Sequence, residues 1–409
     1  MRSDTVRVRV RPMTETDVFT PDDAHRGGIV DLMRVAFNMT TRLDERAAWL
    51  PVEKMRCVSD DGRIVAAAGA HDFRQWFGGR ELEMSGIWGV VTLPEHRGGG
   101  LATRAVTALL EDARERGQPL SALYPATQRP YRGMGYELGG TMTRHEVMLD
   151  DLPRGPAGPL PVEEFSLERD LEGVRACYRA SVSGHAGPID SDEPDWWRDK
   201  ILGRWFSDDV QRTVVARGRD GIEGYASFTF GPATGAIDFN YSVNCRHLVA
   251  TSVEGFASLL SYVRAFRGLG VSLRFTGPPA HPLALLVEEQ RVAPVWTYRW
   301  MLRLLDVPAA LSGRGYPPVS GEVALAVEDG LFSENRGPWH LEADGSGSVN
   351  VSPATGRAEH PVTIGTLSAM YTGFLSPFDA VALGQLDESQ ASFLAQLFGG
   401  PAPWMHDFF

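Results

Sequence analysis

The same run of hairpin, strand, helix and strand occurs twice in this chain, and that repetition limits its architecture more than any single motif does. In the first copy, Asp61-Gly62 is a hairpin signal ahead of a strand from Arg63 to Asp72. Phe77-Gly78-Gly79 then turns the chain into a second strand from Glu81 to Thr92. Ala102, Ala105, Val106, Leu109, Leu110 and Ala113 recur at helical spacing, and the helix closes on the basic Arg114-Glu115-Arg116-Gly117. A short strand from Leu120 to Tyr124, a short helix near Tyr131 and a strand from Tyr136 to Leu149 complete the unit. Upstream, Val6, Val8 and Val10 alternate with arginines as in a strand, and Ile29, Leu32, Met33, Ala36 and Phe37 fall on one helix face.

The second copy starts with a helix from Leu167 to Ser181 and turns on Asp220-Gly221. A strand from Ala236 to Val243, a helix from Thr251 to Phe266, a strand from Val271 to Thr276 and a helix near Leu283 to Glu289 follow. Both copies end on a similar strand, Thr143 to Leu149 and Thr297 to Leu302. The remainder differs. Gly321 to Glu328 alternates as a strand, Trp339 to Val351 reads as a hairpin across Asp344-Gly345-Ser346-Gly347, and two helices lie near Ile364 to Tyr371 and Glu388 to Leu397. The pattern is α+β: two tandem mixed-sheet units, 1–155 and 156–305, and a third unit, 306–409. The ending Trp404-Met405-His406-Asp407-Phe408-Phe409 is too apolar for a frayed tail, so it is expected to dock.

Composition narrows the classes. Lys and Arg number 40 against 52 Asp and Glu, a net charge of −12. Such a surface disfavours nucleic acid and favours a cationic partner such as a polyamine or aminosugar. No apolar run reaches membrane-spanning length, and the N-terminal residues lack the apolar stretch of a signal peptide. Cys57, Cys177 and Cys245 stand far apart, offering neither a disulfide framework nor metal-ligand spacing, and a cytoplasmic location is the simplest reading.

The chemistry concentrates in Val90-Val91-Thr92-Leu93-Pro94-Glu95-His96-Arg97-Gly98-Gly99-Gly100-Leu101-Ala102-Thr103. A strand ends, glycines let the backbone approach a ligand, and a helix N-terminus then offers free amides and a favourable dipole to an anion. Arg97 adds a charge-assisted donor. The stretch lacks the acidic ribose ligand of a dinucleotide fingerprint and the Gly-Lys-Ser/Thr of an ATP-binding loop. With Arg97, Gly100 and Ala102 in the pattern Arg/Gln-x-x-Gly-x-Gly/Ala, it resembles the pyrophosphate-binding motif of the GNAT superfamily of N-acetyltransferases. Tyr131 to Tyr136 resembles that superfamily's Tyr-x-x-x-Gly-Phe/Tyr signature.

Two such units, a third resembling a sterol carrier protein and a terminal phenylalanine make the layout similar to that of the Eis, or enhanced intracellular survival, family of multi-site amine and aminoglycoside acetyltransferases. That resemblance implies acetyl-CoA as co-substrate, a small-molecule amine as acceptor, no metal, and a homohexamer. It implies that Val90, Val91, Thr92, Arg97, Gly98, Gly99, Gly100, Leu101, Ala102, Thr103, Ala126 and Thr127 contact the CoA. It also implies that Tyr131 protonates the leaving thiolate and that the α-carboxylate of Phe409 serves as base. The second unit reads Val243-Asn244-Cys245-Arg246-His247-Leu248-Val249-Ala250 where the glycine turn would stand, so it is expected not to bind CoA. Glu83 and Glu95 are rival bases expected to face solvent, His96 an exposed loop residue, and His185, His247 and His281 scattered without ligand spacing. Trp196 and Trp197 are expected in core or interface, and Trp76 is a candidate for an amine pocket. Two other readings carry weight: a lipid-binding protein on an acetyltransferase scaffold, and an acetyltransferase of protein lysines.

Overall fold

A computed structural model describes residues 17–38, 50–154, 160–193, 195–203, 211–233, 239–355 and 361–409. The strand expected around Val6 to Val10 lies outside the described residues, as does the start of the one expected from Ala236. The first unit runs β1 (Val18–Phe19), α1 (Arg26–Phe37), β2 (Met55–Asp60), β3 (Arg63–Phe77), β4 (Arg80–Thr92), α2 (Leu101–Glu115), β5 (Leu120–Leu123), α3 (Arg129–Gly133) and β6 (Glu137–Met148). The second runs β7 (Val162–Glu164), α4 (Leu167–Val182), β8 (Ala186–Asp190), β9 (Arg212–Arg217), β10 (Ile222–Pro232), β11 (Tyr241–Ala250), α5 (Val253–Arg264), β12 (Gly270–Gly277) and β13 (Ala293–Leu304). The third comprises α6 (Val307–Gly313), β14 (Ser320–Glu328), β15 (Gly337–Asp344), β16 (Val349–Pro353), β17 (Val362–Thr363), α7 (Ile364–Thr372), α8 (Pro377–Ala382) and α9 (Glu388–Leu397).

Two expectations change, and one element is new. Val243 to Ala250 is part of β11, not the approach to a helix. The helix near Leu283 is one 3₁₀ turn, Pro282–Leu285, started by Pro282 and the His281 cap. Trp196 to Ile201 form a π turn that periodicity does not announce.

The hairpin turns sit where Asp-Gly placed them, with Asp61 at φ 49° and Gly62 at φ 76°. Small residues Ala66, Ala67 and Ala68 let α2 lie close on β3, burying Ala105, Val106, Leu109, Leu110 and Ala113. Strands of both repeats join one 13-stranded sheet in the order β1-β2-β3-β4-β5-β13-β6-β12-β11-β10-β9-β7, with β8 on β3. The closing strands are exchanged: β13 pairs with β5, β6 pairs with β12, and β6 and β13 pair with each other. Each unit's sheet is therefore completed by the other's last strand. A second sheet, β16-β15-β14-β17, belongs to the third unit. One core cluster crosses all three, from Phe73 and Phe77 through Tyr178 and Trp197 to Leu325, Tyr371 and Phe409. The three cysteines are buried and free. No described helix is long and apolar enough to cross a membrane.

Candidate active site

The site opens where β4 leaves β5. Their parallel pairing covers Met84–Ile87 against Leu120–Leu123 and ends there. Just beyond, Gly89 takes φ 60°, and the β3–β4 register slips between Ala67–Val91 and Gly69–Trp88. This bulge splays the strand. Val90, Val91 and Thr92 occupy the splayed end, with Val91 buried and its neighbours partly so, and their backbone groups on the β5 side are not used by the sheet.

Arg97, Gly98, Gly99 and Gly100 follow at the surface. Gly98 and Gly100 adopt φ 86° and 75°, which L side chains rarely tolerate. Gly100 is the N-cap of α2 and supplies no side-chain cap, so the first amides of this 15-residue helix are left for a ligand. The Leu101 side chain lies in the core, which restricts that residue to its backbone amide, while Ala102 and Thr103 are partly exposed on the first turn. These groups suit a pyrophosphate. The equivalent helix of the second unit, α5, is closed: Ser252 caps the Gly255 amide, and the Ser252 hydroxyl donates to Glu223, placing a carboxylate where an anion would sit.

On the opposite wall, Pro125 is followed by the exposed Ala126 and Thr127. Tyr298, on the exchanged β13, donates its hydroxyl to the Pro125 carbonyl at 2.6 Å. The second unit thus braces the first unit's loop. Tyr131 is buried in α3, its ring 6.1 Å from that of Tyr136 and nearly perpendicular to it. Burial, with Tyr298 nearby, pushes its hydroxyl up to about 12. Gly135 turns at φ 84°, and Tyr136 is fixed through Ser121 at 2.6 Å.

The C-terminal segment is docked into this region. Pro403 accepts from the Thr141 amide, the Trp404 amide donates to Ala186, and the Met405 amide donates to Thr141, at 3.1, 2.9 and 2.9 Å. Trp404 to Asp407 are buried. The Phe409 ring packs 5.0 Å from Phe73 and 5.5 Å from Tyr124, over Gly86 of β4. A Cβ on Gly86 would come within 2.9 Å of the Phe409 ring and 2.6 Å of Phe73. The ring of the last residue therefore sits over Gly86, one residue short of the last β4–β5 pair, Ile87 with Leu123.

Phe73 also lines an open cleft of about 430 Å³ with Lys54, Asp72, Arg74, Glu83, Ser191, Asp192 and Glu193. Four carboxylates face two cations there, and the loop after β8 brings half of the negative charge from the second unit. Trp196 packs edge-on to Phe73 at 4.6 Å. Lys200 places its ammonium 4.2 Å from the Trp196 ring. Burial drives Lys200 down to about 7, against the pull of Asp407 and with the push of Arg246. His71 stacks on Trp88 at 5.2 Å, and burial, helped by Lys200 and Lys54, keeps it neutral.

A lysine depressed in the folded state penalises folding fully below its folded value, and the penalty disappears as pH rises towards the ordinary value of 10.5. Each unit of depression costs about 1.4 kcal/mol. Lys200→Met is accordingly expected to raise the melting temperature at pH 6, with the gain shrinking towards pH 9.5. Calorimetry at the two pH values checks this, and an equal gain at both would contradict it.

Glu83 and Glu95 are exposed. His96 is partly buried and 3.8 Å from Asp60, less open than a surface loop residue would be. Trp197 is core, donating to Asp190 at 2.9 Å, and Trp76 packs against the central cluster. Sequence reasoning passed over His71 and Lys200 and gave His247 and Asp407 no role of their own; the four sit on separate elements with no shared spacing. Among the described residues no group of His, Cys, Asp and Glu is arranged to hold a metal ion.

Comparison with known proteins agrees with this geometry. Residues 18–139 and 189–304 each match an acetyltransferase (GNAT) domain, and residues 307–406 match a sterol carrier protein domain. An uncharacterised N-acetyltransferase of Streptomyces coelicolor is 28% identical over 83% of this chain and 85% of its own. The N-acetyltransferase Eis of Mycobacterium tuberculosis is 26% identical over 77% of each chain. Among solved structures, a GCN5-related N-acetyltransferase from Anabaena variabilis superposes with a TM-score of 0.88 at 26% identity, covering 97% of this chain and all of that one. Eis1 from Mycobacterium abscessus shares the fold, with a TM-score of 0.79 at 20% identity. The α+β architecture expected from the repeat, two acetyltransferase units and a sterol-carrier-like third, therefore holds.

Proposed function

We propose that this chain, which belongs to the Eis family of GNAT N-acetyltransferases, acetylates a cationic small-molecule amine in the cleft between its first two units, with its own C-terminus as base. GNAT domains use acetyl-CoA, which supplies an acetyl group activated as a thioester. The amides of α2 and the turn from Arg97 to Gly100 hold its pyrophosphate, Ala126 and Thr127 flank it, and the splayed backbone from Val90 to Thr92 holds the thioester. The Phe409 α-carboxylate, directly or through a water, takes the proton that the attacking amine must lose. Tyr131 hands its hydroxyl proton to the departing sulfur.

The observation that carries the reading is the seat of Phe409 over Gly86, at the mouth of the β4–β5 wedge. An α-carboxyl has an ordinary pKa of roughly 3.5, a weak base unless desolvated or helped by a water, and the Phe409 ring is packed against Phe73 and Tyr124. The four cleft carboxylates favour a polyamine or aminoglycoside acceptor. A homohexamer is part of the same reading by family likeness, as is a cytoplasmic location.

The lipid-carrier alternative finds less support. In the third unit's interior the buried Arg314 guanidinium lies 4.8, 4.9 and 5.4 Å from the Tyr316, Tyr371 and Phe398 rings, a cation among the aromatics of that core.

The test is acetyl-CoA consumption, read by thiol release, with polyamines, aminoglycosides and a lysine peptide, on the intact protein and on one lacking Phe408 and Phe409. Turnover by the intact protein, lost on truncation while fold and oligomer persist, is the expected result. Turnover retained would move the base elsewhere, with the neutral His71 next in line. CoA binding without turnover of any amine would overturn the reading.

A further inference from the structure

Asp407 is held from both sides. Its side chain, 4% exposed, faces His247 of β11, with both carboxylate oxygens 3.1 Å from Nε2. A carboxylate only accepts, so that nitrogen carries the hydrogen. The other ring nitrogen of His247, which is fully buried, is 2.7 Å from the Tyr225 hydroxyl of β10. His406 stacks on the His247 ring at 4.7 Å. The backbone carbonyl of Asp407 accepts from the Tyr124 hydroxyl at 3.0 Å, at the end of β5. Two residues later comes the terminal carboxylate.

From this we infer that His247 and Asp407 form a positioning clamp, built by the second unit, that aims the C-terminal carboxylate at the first unit's active site. The inference rests on the reading of Phe409 as base. It also gives the second unit a part in the reaction. Its central strand, β11, lacks the glycine turn that β4 leads into, and presents His247 to the tail instead. A buried polar pair of this kind is costly unless fully satisfied, and here each side chain finds its partner on the other or on Tyr225. A freely jointed terminal dipeptide would spread its carboxylate over several ångströms. Fixing Asp407 at side chain and carbonyl removes most of that freedom, and misplacement by 1 Å costs about 10²-fold in rate.

The full-length protein and His247→Gln are compared, each with and without Phe409, by steady-state kinetics and by hydrogen exchange of the peptide spanning 403–409. His247→Gln is expected to lower kcat by roughly 10²-fold with KM for acetyl-CoA within about twofold, and to speed exchange of the tail. In the protein lacking Phe409 it should produce no further loss, because the clamp acts only through that carboxylate. Asp407→Asn, weakening the pair from the other side, serves if His247→Gln does not fold. Unchanged kcat and tail exchange would overturn the clamp, as would an equal loss with and without Phe409. If removing Phe409 alone leaves turnover intact, the base reading fails, and tail exchange then decides the clamp by itself: unchanged exchange in His247→Gln overturns it.

Discussion

Tyr131→Phe is expected to lower kcat by about 10²–10⁴-fold while leaving KM for acetyl-CoA nearly unchanged. The substitution removes one oxygen and keeps the ring that packs near Tyr136. In the proposed mechanism it leaves the departing thiolate without a proton donor at the moment the carbon–sulfur bond breaks. The environment suits a donor: burial holds the hydroxyl up to about 12, so it stays protonated throughout the range in which an amine acceptor loses its own proton. The wild-type kcat should therefore show no alkaline fall from this tyrosine below about pH 11. Stopped thiol-release assays from pH 6 to 10 on both proteins check the two statements together. A phenylalanine variant within threefold of wild type would remove Tyr131 from the mechanism and leave the leaving group to water.

Asp329→Ala is expected to destabilise the protein by about 3–5 kcal/mol, the usual consequence of orphaning a buried charge. Arg303, on the exchanged β13, is fully buried and donates to both Asp329 oxygens at 2.7 Å. The same carboxylate accepts from the Leu331 and Phe332 amides and from Asn335, at 2.8, 3.1 and 2.9 Å. Arg303 also donates to the Met134 carbonyl behind the helix of Tyr131. One pair therefore ties the third unit, the second unit's last strand and the first unit's Tyr131 helix.

Burial raises the carboxyl, but Arg303 and the other donors outweigh it and hold Asp329 below its ordinary value. Its contribution to stability is thus present above that ordinary value, 3.8, and is lost as pH falls through the folded one. Urea unfolding at pH 7 should show a markedly lower midpoint for Asp329→Ala, with the gap narrowing at pH 3. A midpoint unchanged at pH 7 would mean that the three units do not depend on this pair.

Local chemistry wrote most of the first unit. Asp61-Gly62 sets a turn by backbone preference alone, the apolar spacing from Ala102 to Ala113 sets a helix, and Gly98 to Gly100 set the conformation that frees the amides of α2. Each signal is contained within about fifteen residues, which is the range over which a linear pattern speaks. The π turn at Trp196 escaped because its bonding differs from that of an α-helix by one residue, and β11 was cut short because its second half, Arg246 to Ala250, has no clean alternation.

What no local pattern carries is which chain segments meet. Tyr298 reaches the loop of Ala126 and Thr127 only because β6 and β13 trade places in the sheet, an outcome of pairing between strands some 150 residues apart. His247 and Asp407 are separated by 160 residues, and each reads in isolation as an unremarkable polar residue. The sequence by itself determined the repeated elements, the glycine turn ahead of α2 and the tyrosine helix, because these depend on backbone conformation and short-range periodicity. Only the tertiary structure decided which strand closes which unit, what lines the cleft and where the C-terminus comes to rest, because those depend on burying apolar and charged surface between units distant in the chain.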